Sequence, residues 1–452
     1  MKNCVQLTLV LILSCYSQLD AHKHRRWGSA VDAYYRKSTV VCRSDSSDGC
    51  RCSESDGTID CREDQRSTQH HLTSAAIRME NKTFNPQHVL LSGNDITEFK
   101  YKELLRDQEA QIETIDLSYN RINFVHDSAF DRFESLKKLV LSHNHLSIND
   151  YDNDWLTSEL GNSLQHLQLD HNRLSSLPNR VFDCLENLDT LILDENPQLT
   201  LTNQTFGRGL RKLKTLSLNQ CELTDLPAEL FLELRNLRSL SLIGNPFVSI
   251  PVAINSAVTL KSLDLSKTEI PELLPNGFRN LTELQTLSLR EMSFLYAIDD
   301  CAFCGLLSLI SIDLSLSSKL HIINENAFGI AKDNHQALNN VRDARFESCL
   351  LKTFSPRLLN WKQLRVAAIG GNPLVCDEKL NWLVEDNSIP IFTQTLSPTC
   401  AEPKSKAGKY VRKKTTKETL PIYIAVGFVV FSFLLCLSFV FCKICCSPYT
   451  RV

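Results

Sequence analysis

Glycine and proline are scarce, at 15 each in 452 residues, which excludes collagen-like and low-complexity disordered chains. An excess of one charge is missing too: 49 basic and 52 acidic residues leave a net charge of -3, against a whole-chain nucleic-acid binder. No glycine-rich phosphate loop, paired metal motif or nucleophile elbow occurs. The sequence therefore predicts no enzyme, no cofactor and no nucleic-acid partner.

Cysteine is plentiful and unevenly placed. Of 17, four lie between Cys42 and Cys61 and four at or beyond a C-terminal apolar run, a pattern that fits an oxidising compartment for the body of the chain. Residues 1–21 carry Lys2, an apolar stretch from Val5 to Leu13 and then small polar residues. They read as a cleaved secretory signal. Leu420 to Phe441 is 22 residues without a charge, about 33 Å as a helix and enough to cross a bilayer. Seven basic residues between 404 and 417 precede this run, and only Lys443 and Arg451 follow it. The positive-inside bias alone would put the body in the cytosol. A cleaved signal commits the body to translocation and overrides that bias. The expectation is a type I plasma-membrane protein with a single span at 420–441, a basic stalk at 404–419 and a tail at 442–452.

Between these ends the chain repeats itself. The pattern L-x-x-L-x-L-x-x-N-x-L is cleanest at Ile112-Ile115-Leu117-Asn120-Ile122, Leu136-Leu139-Leu141-Asn144-Leu146 and Leu164-Leu167-Leu169-Asn172-Leu174. Its Asn position recurs at Asn94, Asn120, Asn144, Asn172, Asn196, Cys221, Asn245, Thr268, Met292, Ser317, Cys349 and Asn372. These twelve units are mostly 23–28 residues apart, with one step of 32 before Cys349. A Phe follows ten residues on at Phe130, Phe182, Phe206, Phe231 and Phe278. Alternation in L-x-L buries both leucines of a short strand and turns the residues between them outward. One such unit cannot bury its apolar face alone, whereas stacked units share a continuous core. A side chain in the Asn register must satisfy turn backbone groups. Met292 lacks the donor for this, so the ladder should be weakest there and at Ser317.

Residues 84–375 resemble the leucine-rich repeat family. The resemblance implies an α/β solenoid, a right-handed horseshoe whose open ends need caps. Cys42, Cys50, Cys52 and Cys61, within 42–83, resemble the family's N-terminal cap, which implies the pairs Cys42–Cys52 and Cys50–Cys61. Asn372-Pro373, Cys376, Trp382 and Cys400, at the edge of and within 376–403, resemble its C-terminal cap. Glu378 stands where a second cysteine is expected, leaving Cys376–Cys400. Cys221 and Cys349, in the Asn register, read as free core thiols. Cys301 and Cys304 read as packing residues or a local bridge, and the state of Cys184 stays open. Asn81, Asn203 and Asn280 head glycosylation sequons.

Binding chemistry belongs on the outward strand face. Its middle repeats are small and polar, while the first repeats offer Tyr119, His143, His166, Gln168, Asp170, His171, Asp194 and Glu195. His143 and His171 share one register in adjacent repeats, an arrangement open to metal or proton binding. A polar face for protein contacts is the preferred reading, and no metal is assigned. At the C-terminus, Thr450 and Val452 resemble a PDZ-binding terminus. Cys442, Cys445 and Cys446 abut the expected inner leaflet as palmitoylation candidates. The whole resembles single-pass adhesion and receptor proteins of the family, such as trophoblast glycoprotein. This implies a protein-binding cell-surface receptor or adhesion molecule, with an extracellular or cell-surface protein ligand and a cytosolic PDZ scaffold. The alternatives are a lateral regulatory subunit of another membrane receptor or channel and a shed matrix-organising protein.

Overall fold

Each three-residue strand is centred on the first apolar residue of an L-x-L triplet, which points into the core, while the second follows directly after the strand and is buried as well. In the computed structural model these strands run His88–Leu90, Thr114–Asp116, Lys138–Val140 and His166–Gln168, and so on to Val366–Ala368. The structure describes residues 38–42, 50–62, 71–79, 84–148, 154–329, 340–386, 388–391 and 396–411. The expected signal, the 420–441 span, the tail with Cys442, Cys445, Cys446, Thr450 and Val452, and the Asn81 sequon lie outside these residues.

Fourteen strands make one sheet, and all pair in parallel except Arg51–Ser53 with Thr58–Asp60, an antiparallel pair at the N-terminal end. Register is constant: Ile115 pairs with Leu139, Leu139 with Leu167, Leu167 with Leu191 and Leu191 with Leu216. These central residues are fully buried, as are the second leucines Leu117, Leu141, Leu169 and Leu193. Each such side chain is worth roughly 1.5–3 kcal/mol of burial.

The Asn ladder binds one repeat to the one before it. Asn172 Nδ2 donates to the Leu141 carbonyl of the preceding repeat at 2.9 Å and to its own Leu169 carbonyl at 3.1 Å. Its Oδ1 accepts from the Leu146 amide at 2.9 Å. Asn120, Asn144, Asn196 and Asn245 repeat the pattern. In the later repeats the ladder thins. Thr268 donates to the Leu265 carbonyl of its own repeat, with the Met292 sulfur 3.4 Å from the same hydroxyl, and the Ser317 hydroxyl reaches the Leu289 carbonyl only at 3.4 Å. Met292 is fully buried, so it fills the register by volume rather than by donating hydrogen bonds.

The return side corrects the α/β expectation. Among the described residues only two α-helices occur, Ser158–Gly161 and Asn381–Glu385. Returns are built instead from i to i−3 hydrogen bonds, such as Phe133 to Phe130 and Leu136 to Phe133, and from two-residue strands such as Glu272–Leu273 and Ala297–Ile298. The buried phenylalanines explain this. Phe278 stacks on Phe303 with centroids 6.1 Å apart, and Phe303 meets Phe328 at 4.7 Å with planes inclined by 33°, so these returns wrap around a ring. No helix among the described residues is long and apolar enough to cross a membrane.

Disulfides close both ends. Cys42 is bonded to Cys52, Cys50 to Cys61 and Cys376 to Cys400. Cys301 and Cys304 are bridged within one return, while Cys221 and Cys349 are free and buried and Cys184 is free and exposed. Residues 404–411, assigned to the stalk by their lysines, instead fold back onto the C-terminal cap. Gly408 donates to the Cys400 carbonyl, Cys400 to Lys409, and Lys406 Nζ to the Cys376 carbonyl at 2.8 Å.

Candidate functional site on the open sheet face

The residue just before each ladder position has a backbone of unusual hand. Gly93, Tyr119, His143, His171, Glu195, Gln220, Gly244, Lys267, Glu291, Leu316, Ser348 and Gly371 all have φ between 51° and 78°. For residues with a Cβ this left-handed conformation costs roughly 1–2 kcal/mol each. The repeat geometry holds it in place. Tyr119 N donates to the Ser142 carbonyl, His143 N to Asp170, His171 N to Asp194 and Glu195 N to Asn219, each bond 2.8–3.0 Å long and each reaching the next repeat.

Five side chains of this register form a continuous column. Tyr119 stacks on His143 with centroids 4.0 Å apart, and His143 stacks on His171 at 3.7 Å. His171 Nε2 faces Glu195 Oε2 at 2.8 Å, and Gln220 Nε2 donates to Glu195 Oε1 at 3.0 Å. Gly93 and Gly244 bracket the column, because neither carries a side chain to continue it.

Beside the column runs a second line of polar contacts. Ser118 donates to Asp116 at 2.6 Å, and its hydroxyl oxygen lies 3.0 Å from that of Ser92. Ser142 donates to Asp170 Oδ1 at 2.5 Å, and Asn219 Nδ2 donates to Asp194 Oδ2 at 2.9 Å. Asp170 Oδ2 lies 3.1 Å from His171 Nδ1. Column and line together wall a groove of about 570 Å³.

Burial, reinforced by the neighbouring His171, holds the His143 imidazole below the usual histidine range. Burial raises the Asp194 carboxyl above its usual range, against hydrogen bonds from Ser217 and Asn219. One ligand atom each from His143, Asp170 and His171 lies within 4.8 Å of the others, a set able to hold a metal ion.

Seven of the eight residues expected on the binding face line this groove: Tyr119, His143, Gln168, Asp170, His171, Asp194 and Glu195. His166 does not. It turns to the other edge of the strand, where its Nδ1 lies 3.3 Å from Asp189. There a larger groove of about 800 Å³ runs along the strand starts, where Lys137 pairs with Glu113 and Lys214 with Asp189, and Arg238 pairs with Glu283 beyond its rim. The outward glycosylation residues Asn203 and Asn280 are exposed.

Comparison with known proteins agrees with this architecture. Residues 110–159 and 186–247 match the model described as leucine rich repeat, and residues 253–357 match the BspA type leucine rich repeat region. The chain is 30% identical over 293 residues to mouse Tsukushi, covering 60% of this chain and 76% of that protein. The chain belongs to the leucine-rich repeat family. A further leucine-rich repeat relative is the rat leucine-rich repeat-containing G-protein coupled receptor 5, 31% identical over 208 residues, covering 42% of this chain and 22% of the receptor. Among solved structures, a leucine-rich repeat protein of Leptospira interrogans superposes with a TM-score of 0.52 at 23% identity, covering 70% of this chain and 76% of that one, and so shares its fold.

In this leucine-rich repeat protein the sequence reading missed Ser142, Lys138 and Gln220 as groove residues. A signal was present: three glycines, Gly93, Gly244 and Gly371, share the position before the ladder residue, which marks it as a site of positive φ. Residues there project in register, so Gln220 belongs with Tyr119, His143, His171 and Glu195.

Proposed function

We propose that this chain is an extracellular protein-binding receptor or adhesion molecule whose protein ligand seats on the groove between Tyr119 and Gln220. The observation that carries the reading is the stacked column. Its side chains are already ordered by neighbours in the next repeat, so a ligand meets a surface whose rotamer entropy is largely spent. Tyr119 ends the column and is 59% exposed, the kind of aromatic anchor on which binding energy concentrates. The four disulfides among the described residues fit an oxidising, extracellular setting. The sequence adds a span at 420–441 and a tail whose Thr450 and Val452 suit a PDZ scaffold. No catalysis is part of this reading.

The test is proximity labelling on intact cells with the full chain and with the double variant Tyr119→Ala, Glu195→Lys. The reading expects a distinct set of labelled surface proteins that the double variant loses while reaching the surface in equal amount. An identical labelled set for both chains overturns it. Of the alternatives, an ectodomain recovered mainly from the medium favours the shed-matrix reading, and clustering unchanged by removal of Val452 favours either alternative over the scaffold-held receptor.

A further inference from the structure

We propose that His143, Asp170 and His171 form a binding site for a divalent transition-metal ion of the zinc class, with Glu195 and Ser142 as its supporting shell. This goes beyond the protein-binding reading, does not rest on it, and revises the expectation that no metal binds.

The argument starts from His171. Its Nδ1 faces Asp170 Oδ2 at 3.1 Å, and its Nε2 faces Glu195 Oε2 at 2.8 Å. A neutral imidazole carries one N–H and cannot donate to both carboxylates. An imidazolium donates to both; in the neutral form a bound cation takes the place of the second proton, the Nε2–H donating to Glu195 while the bare Nδ1 and Asp170 Oδ2 share the ion. Zinc binds imidazole nitrogen at about 2.0–2.1 Å and carboxylate oxygen at about 2.0–2.2 Å, so two ligands on a tetrahedral ion lie about 3.3 Å apart. The observed 3.1 Å is close to that with little rearrangement.

The third ligand is His143, stacked on His171 with ring centroids 3.7 Å apart. A turn of its ring brings a nitrogen to the ion, since one ligand atom each of the three residues already lies within 4.8 Å of the others. The surroundings match what metal ligands need. A carboxylate on the far nitrogen fixes the tautomer of a ligating histidine, and Glu195 occupies that place. Ser142 donates to Asp170 Oδ1 at 2.5 Å and leaves Oδ2 for the ion. Both histidine backbones are held by bonds to the next repeat, which pre-positions the ligands. His171 is one-third exposed, so a fourth position opens on the groove for water. Two imidazole nitrogens among the three ligands favour zinc-class ions over Mg²⁺, which prefers an all-oxygen set.

The experiment is calorimetric titration of the purified, tag-free full chain with ZnCl₂, then MgCl₂, alongside His143→Phe and Asp170→Asn. His143→Phe keeps a ring in the stack and removes the ligand. The expected result is saturable one-to-one Zn²⁺ binding, no Mg²⁺ binding, and a loss of roughly tenfold or more in affinity for each variant. Wild-type affinity in either variant overturns the proposal, as does an absence of saturable Zn²⁺ binding. Visible absorption of the wild type with CoCl₂ needs no variant: an intense tetrahedral spectrum is expected, and a weak octahedral one contradicts the site.

Discussion

The imidazole of His143 lies on that of His171, with ring centroids 3.7 Å apart and planes inclined by 27°. These residues are 28 positions apart in the chain and neighbours in space, because each precedes the ladder Asn of its repeat. The stack is a surface feature on a stable frame, so binding and stability should separate. His143→Ala is expected to cost only about 0.5–1.5 kcal/mol in denaturant unfolding. A larger loss would mean that the column holds the fold together rather than presenting it.

The ladder is the opposite case. Asn172→Ala leaves the buried Leu141 carbonyl and Leu146 amide without their side-chain partner. At roughly 1–3 kcal/mol per unsatisfied buried group, a loss of several kcal/mol is expected in chemical unfolding. A loss below about 1 kcal/mol would show that the repeats do not depend on this register.

Because the ladder thins from Thr268 to Ser317, that stretch should open first. Hydrogen exchange read by mass spectrometry is expected to show faster exchange for strands Thr286–Ser288 and Ser311–Asp313 than for Lys138–Val140 and His166–Gln168. Equal protection along the sheet would mean that the volume of Met292 compensates for its missing donors.

Glu103 is buried, with Ser74 donating to one oxygen and the Lys100 amide to the other at 2.8 Å. Burial raises its carboxyl above the usual range despite these bonds. The folded state therefore holds a proton that the unfolded chain has released, and stability falls as pH rises from the ordinary glutamate value through the raised one. Glu103→Gln removes this slope. Urea unfolding at about pH 4 and 7 should show the wild type losing stability relative to the variant as pH rises. Parallel profiles would refute the assignment.

Burial pushes the Cys221 and Cys349 thiols up to about 12, while Cys184 is exposed. Alkylation of the native chain followed by peptide mapping is expected to modify Cys184 and to spare Cys221 and Cys349 until denaturant is added.

Much of the frame was legible because a two-residue alternation and a 24-residue period leave few alternatives. Leu139, Leu167 and Leu191 fall on one buried line in sequence and in structure. The near-absence of helix was not legible, because the returns wind around Phe278, Phe303 and Phe328 and nothing in the local pattern distinguishes such turns from helix. Nor was the direction of His166, since both edges of a strand start are open to it. The five-membered column was half visible: the two histidines share an obvious register and Gly93, Gly244 and Gly371 mark its left-handed backbone, but the stacking of Tyr119 and the reach of Gln220 to Glu195 belong to the folded repeats. Residues 404–411 misled by composition, since lysines that suggest a solvated stalk are also able to cap carbonyls, as Lys406 does for Cys376.

The most direct test of the recognition surface is site-specific photo-crosslinking on intact cells. A benzophenone side chain would replace Tyr119 on the open sheet face or Leu232, 55% exposed on a return. The account predicts a discrete crosslinked protein from position 119 and none from position 232. Crosslinks arising from position 232 alone would place recognition on the opposite side and contradict it.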